Sequence, residues 1–125
     1  MSVTNYKDLK VCQISMDIAE QVYRLTQDFP KQEIYGLTSQ LQRATVSIPS
    51  NLAEGHTRDS TKEFLYFLSI ALGSLAELET QLILAQRFKY INTNDLTAVL
   101  VKTEEAGRML QGLQRTLKAK LNFSP

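Results

Sequence analysis

Phe64-Leu-Tyr-Phe-Leu-Ser-Ile-Ala-Leu-Gly-Ser-Leu-Ala-Glu-Leu-Glu-Thr-Gln-Leu-Ile-Leu-Ala85 is the stretch that decides the fold. Within it Phe64, Leu68, Ala71, Leu75, Leu78, Leu82 and Ala85 recur at alternating steps of four and three, the pattern of a helix packed along a bundle seam. At roughly 1.5 to 3 kcal/mol for each fully buried large side chain, this stripe contributes on the order of ten kcal/mol gross, before conformational entropy is set against it. Leu65, Leu72, Ala76 and Ile83 widen the apolar arc toward half the circumference, more than one bundle contact covers.

Helical period continues in both directions, and strand-like alternation is absent. The pattern predicts helices over about 6–28, 32–55, 60–89 and 93–119. Phe29-Pro30 ends the first, because proline biases its predecessor away from helical angles. Gly55 suits a left-handed C-terminal cap for the second, Ser60 with Glu63 makes a capping box for the third, and Asn92 or Thr93 caps the fourth. The last helix answers the seam with Leu96, Val99, Thr103, Ala106, Leu110, Leu113 and Leu117. Long helices joined by short loops imply an all-α, antiparallel up-down-up-down four-helix bundle, one domain over residues 1–125.

The second helix is unusually poor in charge. From Gly36 to Ala53 only Arg43 is charged, while Leu37, Leu41, Ala44, Ile48 and Leu52 form its core stripe. The flanking face carries Gly36, Gln40, Arg43, Ser47, Ser50, Asn51 and Glu54, small or hydrogen-bonding groups where a solvated face usually has Lys and Glu. Such a face is expected to be a polar seam packed against other protein. Pro49, inside this helix, removes a backbone donor and predicts a bend. Gly73, among larger residues, is expected to permit close helix packing at a cost of about 1 kcal/mol relative to Ala. The first helix has an apolar stripe of Leu9, Cys12, Met16, Ala19 and Tyr23 and a second, nearly opposite, of Val11, Ile14, Ile18, Val22 and Leu25. A bundle buries one, so the surplus predicts a homo-oligomer.

Composition excludes several function classes. A charge of +1 exerts no strong pull on nucleic acid or anionic membrane, and the lone Cys12 cannot form an internal disulfide. The polar opening Met1 to Lys10 is not expected to be a signal peptide, and Phe64 to Ala76 falls short of the roughly 20 residues of a membrane span. A cytoplasmic location and no membrane association are therefore expected. After Glu105 the chain has Arg108, Arg115, Lys118 and Lys120 and no acid, a locally basic face that several copies would multiply. These are the candidate nucleic-acid contacts.

No catalytic constellation is visible. An antiparallel hairpin turning near Thr57 brings Arg43 within reach of Ser74 or Glu77. Glu79 projects toward the apolar arc beside Leu72, Leu75 and Leu82, where a carboxylate needs a partner. A structural network is the favoured use of this group, over proton handling. His56 is the sole histidine, which removes the paired Glu-x-x-His arrangement of di-iron bundles and disfavours zinc. His56, Asp59 and Ser60 lie too close in sequence for a triad and read as helix-ending residues. No enzymatic activity, cofactor or metal is expected.

The run from Phe29 to Gly55, with Arg58, Ser60, Lys62-Glu63-Phe64, Phe67-Leu68 and Gly73-Ser-Leu-Ala-Glu-Leu-Glu79, resembles the small bacterial four-helix-bundle proteins encoded in intervening sequences of 23S ribosomal RNA genes. The resemblance covers essentially the whole chain, the last helix in pattern only. It implies a left-handed antiparallel bundle in a ring-like homopentamer, with no catalytic residues to carry over. That family is in turn similar to the accessory protein of diversity-generating retroelements, a basic pentamer that binds nucleic acid and a reverse transcriptase. The +1 charge of this chain departs from that basic character. By the resemblance, Gln40, Arg43, Ser47, Asn51, Glu54, Arg58, Ser74, Glu77 and Glu79 are packing and assembly determinants. The expected partners are further copies of the chain and RNA, DNA or a nucleic-acid-processing protein, the alternative being a protein-protein scaffold that binds no nucleic acid.

Overall fold

The computed structural model describes residues 5–122; the remaining ends of the expected domain, including the first residues of the polar opening, lie outside the described residues. Four α-helices, α1 (Lys10–Thr26), α2 (Leu37–His56), α3 (Thr61–Arg87) and α4 (Thr93–Asn122), are accompanied by 3-10 turns at Tyr6–Asp8 and Lys31–Glu33. No strand occurs among the described residues. Each helix packs against its sequence neighbours and α1 closes against α4, so the helices stand at the corners of a square.

The core is built from the stripes that the periodicity predicts. Leu68, Ala71, Leu75, Leu78, Leu82 and Ala85 of α3 meet Leu37, Leu41, Ala44, Ile48 and Leu52 of α2 and Val99, Thr103, Ala106, Leu110 and Leu117 of α4, all buried. From α1 the buried set is Val11, Cys12, Ser15, Ile18, Val22 and Thr26. The core face of α1 thus takes Val11, Ile18 and Val22 from one stripe and Cys12 from the other, between the two, while Met16 and Tyr23 remain exposed. Burial pushes the Cys12 thiol above its ordinary range.

Helix ends account for most departures from expectation. The first helix begins only at Lys10, preceded by a 3-10 turn whose Lys7 N–H is accepted by the Asn5 side chain at 2.9 Å. The segment expected to open the second helix at 32 is instead a 3-10 turn, and α2 starts at Leu37. The reason is Glu33: its carboxylate accepts the Leu37 N–H at 3.1 Å and the Tyr90 hydroxyl at 2.8 Å. It thereby satisfies an otherwise orphaned donor at the helix start and ties the α1–α2 connection to the α3–α4 connection. Tyr90 also packs against Phe29 and Phe88, and Lys89 takes a left-handed φ of 67° in that turn. The N-caps read at Ser60 and Asn92 form, although the Glu63 carboxylate accepts from the Ser60 hydroxyl at 3.3 Å and not from the Ser60 N–H of a full capping box. Ser60 accepts the Glu63 N–H at 3.1 Å, and Asn92 accepts the Asp95 N–H at 2.7 Å. α2 continues through Pro49 as one helix, and α4 runs three residues past its expected end at 119.

Neither informative glycine has its expected role, and Gly55 takes the one expected of Gly73. Gly55 is not a left-handed cap: among the described residues no glycine has a positive φ, and α2 continues to His56. It is instead the close-approach position, where an added Cβ would lie 2.8 Å from Cβ of Phe67 and 3.0 Å from Cδ1 of Phe64. Gly73, expected to serve that purpose, is exposed, and an added Cβ would meet nothing within 4 Å. Among the described residues α3 is also the helix that, by length and composition alone, is long and apolar enough to cross a bilayer, with 33% of its most apolar window buried in the bundle.

Gly55→Ala is expected to destabilise the bundle by about 1–3 kcal/mol through overpacking, whereas Gly73→Ala is expected to stabilise the isolated subunit by about 0.5–1 kcal/mol. Urea unfolding followed by helical circular dichroism measures both.

The Leu37 N–H and then the Tyr90 hydroxyl hold the Glu33 carboxyl below the ordinary glutamate range. A depressed folded-state value stabilises the protein above the unfolded glutamate value of about 4.3, and that stabilisation fades as pH falls through the folded value. Wild type is accordingly expected to exceed Glu33→Gln in melting temperature at neutral pH, with the gap closing in acid below about pH 4.

Candidate assembly surface and basic helix

The residues singled out on α2 and α3 divide into a groove between the helices and a surface outside it. In the groove, the Ser47 and Ser74 hydroxyls are hydrogen-bonded at 2.8 Å. Asn51 donates to the Ser47 carbonyl at 2.8 Å and to its hydroxyl at 3.0 Å. One end of the seam is completed by Gln81, which donates to the Gln40 side chain at 3.4 Å, while its own buried Oε1 has no partner. The other end carries the Glu54–Arg58 pair at 2.6 Å, exposed, with the Arg58 guanidinium over the Phe67 ring at 4.9 Å from its centroid. Polar pairing along a half-buried groove fixes the register of two helices whose apolar stripes alone permit sliding.

Arg43 and Glu77 do not join this network. The expected contact of Arg43 with Ser74 or Glu77 is not formed: Ser47, one turn further along α2, takes Ser74, and Arg43 and Glu77 are both exposed with no ion pair or hydrogen bond among the described residues. Helical geometry explains the difference. Ser47 lies on the flank of α2 that meets α3, whereas Arg43 is turned further toward solvent. It lines a shallow groove of about 380 Å3 with Tyr23, Ser39, Gln42, Val46 and Ser47.

Glu79 lies on the opposite flank of α3, facing α4. It is half-buried and accepts a hydrogen bond from the Thr103 hydroxyl at 2.8 Å. The partner that its position demands is thus a neutral hydroxyl on the next helix. Thr103 is legible in the sequence as a core position but not as a donor, because its stripe reads as apolar packing. His56 packs edge-on against Phe64 at 5.7 Å, a structural placement apart from Asp59 and Ser60.

All of Arg108, Arg115, Lys118 and Lys120 are exposed on α4. Steps of seven and three place Arg108, Arg115 and Lys118 on one face, and Lys120 falls well round the helix from them. Beside Arg108, Glu79, Glu104 and Gln111 line a shallow depression, so acids border the basic face at that end.

Residues 7–112 match the family described as 23S rRNA-intervening sequence protein. The chain belongs to that family. For this family member, the match takes in the α2–α3 seam and Arg108 but ends before Arg115, Lys118 and Lys120. A crystal structure from Bacteroides thetaiotaomicron, described as a protein of unknown function from the S23 ribosomal protein family, is similar with a TM-score of 0.78. The similarity spans 83% of this chain and 97% of that one at 25% identity. No curated protein matches the chain.

Thr103→Val removes the Glu79 donor while keeping the side chain's shape and is expected to cost about 1–3 kcal/mol. Arg58→Ala, at an exposed pair, is expected to cost about 1 kcal/mol or less. Denaturant midpoints of the two variants test this ranking.

Proposed function

We propose that the chain is a non-enzymatic, cytoplasmic subunit of a homo-oligomer, pentameric as the family resemblance implies, whose last helix binds RNA. The observation that carries the assembly part is surface that remains apolar in a folded subunit: Met16, Tyr23, Val46 and Tyr66 are exposed on helices whose core faces are already full. A monomer this small gains nothing from such surface, and exposed apolar area of this kind marks interaction sites. The RNA part rests on Arg108, Arg115 and Lys118 sharing an exposed face, repeated in every copy. A protein-protein scaffold is the second reading, favoured by the acids beside Arg108 and by the end of the family match at residue 112.

Anisotropy titration of single-stranded RNA at several salt concentrations tests the RNA part. Affinity is expected to fall as salt rises, and each of Arg108→Ala, Arg115→Ala and Lys118→Ala is expected to lower the slope of the double-logarithmic plot by about 0.7, the share of one neutralised phosphate on a single strand. Binding indifferent to salt and to the three substitutions contradicts RNA recognition. A protein partner retained after nuclease treatment then supports the scaffold.

A further inference from the structure

Two charged residues that the fold leaves without partners have opposite sign and stand on complementary surfaces. Along α2, Arg43 is the one charge between Leu37 and Ala53, and it borders the groove beside Tyr23 and Val46. Along α3, the charges between Phe64 and Gln86 are Glu77 and Glu79, and Glu79 is engaged by Thr103. Glu77 is therefore the one acid without a partner, among the described residues, on the outer face of α3, whose middle otherwise presents Tyr66, Ser69, Gly73, Ala76 and Thr80 and whose two ends carry the cations Lys62 and Arg87.

This face is unlike a solvated one. A helix exposed to water along its outer side ordinarily carries several Lys and Glu residues. Here the middle of the face is small, at Ser69, Gly73 and Ala76, and the glycine has open space where a side chain would fit. Within the subunit, the helix propensity lost at Gly73 has no packing return. A neighbouring backbone drawn close to that position supplies one.

We infer that the outer face of α3 in one copy of this chain seats in the α1–α2 groove of another copy, with Glu77 of the first paired to Arg43 of the second. The occupant is a second copy because Arg43 and Glu77 place opposite charges near the middle of the two surfaces, and exposed apolar side chains accompany both: Tyr23 and Val46 beside Arg43, Tyr66 and Ile83 along the helix from the small patch. The interface joins two different surfaces, so every copy offers one of each and the series of interfaces closes into a ring when its rotation allows. This inference rests on the self-association proposed above and adds the surfaces and the charged pair that make it.

Charge inversion followed by mixing is the test. Arg43→Glu and Glu77→Arg are read by sedimentation velocity, alone and as an equimolar mixture, with circular dichroism confirming the helical fold. Each variant alone is expected to associate at least about ten-fold more weakly than wild type. The mixture is expected to associate more strongly than either variant alone, since the carboxylate introduced at position 43 of one variant then meets the guanidinium introduced at position 77 of the other while the native pair also forms, with one mismatched junction left in a ring of five. Gly73→Gln, tolerated within the subunit, is expected to dissociate the assembly without lowering the subunit's helix content. An assembled wild type whose inverted variants associate normally, or whose mixture associates no more strongly than either variant alone, overturns the docking inference alone. A wild type that stays monomeric, or that floats with phosphatidylcholine vesicles in place of self-associating, overturns both this inference and the assembly beneath it.

Discussion

Everything in this bundle follows from how closely α2 approaches the beginning of α3. At Gly55 there is no room for a single additional carbon, because Phe64 and Phe67 press against the helix backbone. That approach brings the leucine and isoleucine stripes of the two helices into one core and aligns Ser47 with Ser74 and Gln40 with Gln81. Once this register is set, the outward direction of every other residue on the hairpin is set with it. Arg43 and Glu77 are exposed for the same reason that Ser47 and Ser74 are paired.

The polar seam thus has two distinct uses. Its inner half is consumed in specifying the fold, through hydroxyl and amide groups that match one another at one register only. On its outer side Arg43 and Glu77 are exposed, with no ion pair or hydrogen bond among the described residues. The far end of the molecule is held differently, by the Glu33 carboxylate between the α2 start and the Tyr90 hydroxyl. That clasp joins the two loops at one end of the bundle, whereas the opposite end depends on the Gly55 approach and the Glu54–Arg58 pair. The family match spans both features, and the similar Bacteroides thetaiotaomicron structure shares the fold across nearly its whole length.

The four helices and their core stripes are legible in the sequence because a period of 3.6 residues is repeated long enough in each to be unambiguous. Their ends are less so. Glu33 looks like an ordinary helical residue until Tyr90, 57 positions away, is seen to share its carboxylate. Gly55 takes the close-approach role expected of Gly73 because a glycine near a turn suggests a cap, while the bulk of Phe64 and Phe67 against it becomes evident only in three dimensions. For Arg43 the pattern gives the height along the hairpin and the general face, but not the turn of about 40° between positions four apart that leaves Ser47 and not Arg43 against α3. Of the candidate site, the groove residues Gln40, Ser47, Asn51 and Ser74 gather as a packing seam, whereas the basic residues of α4 separate into a face of three and Lys120 apart.

Assembly is the claim on which the meaning of the outer surfaces depends, and the molar mass in solution tests it most directly. Light scattering coupled to size exclusion, at micromolar protein, is expected to give a mass several times that of the 14.2 kDa chain, five times for the expected ring. A mass equal to that of the single chain contradicts the account.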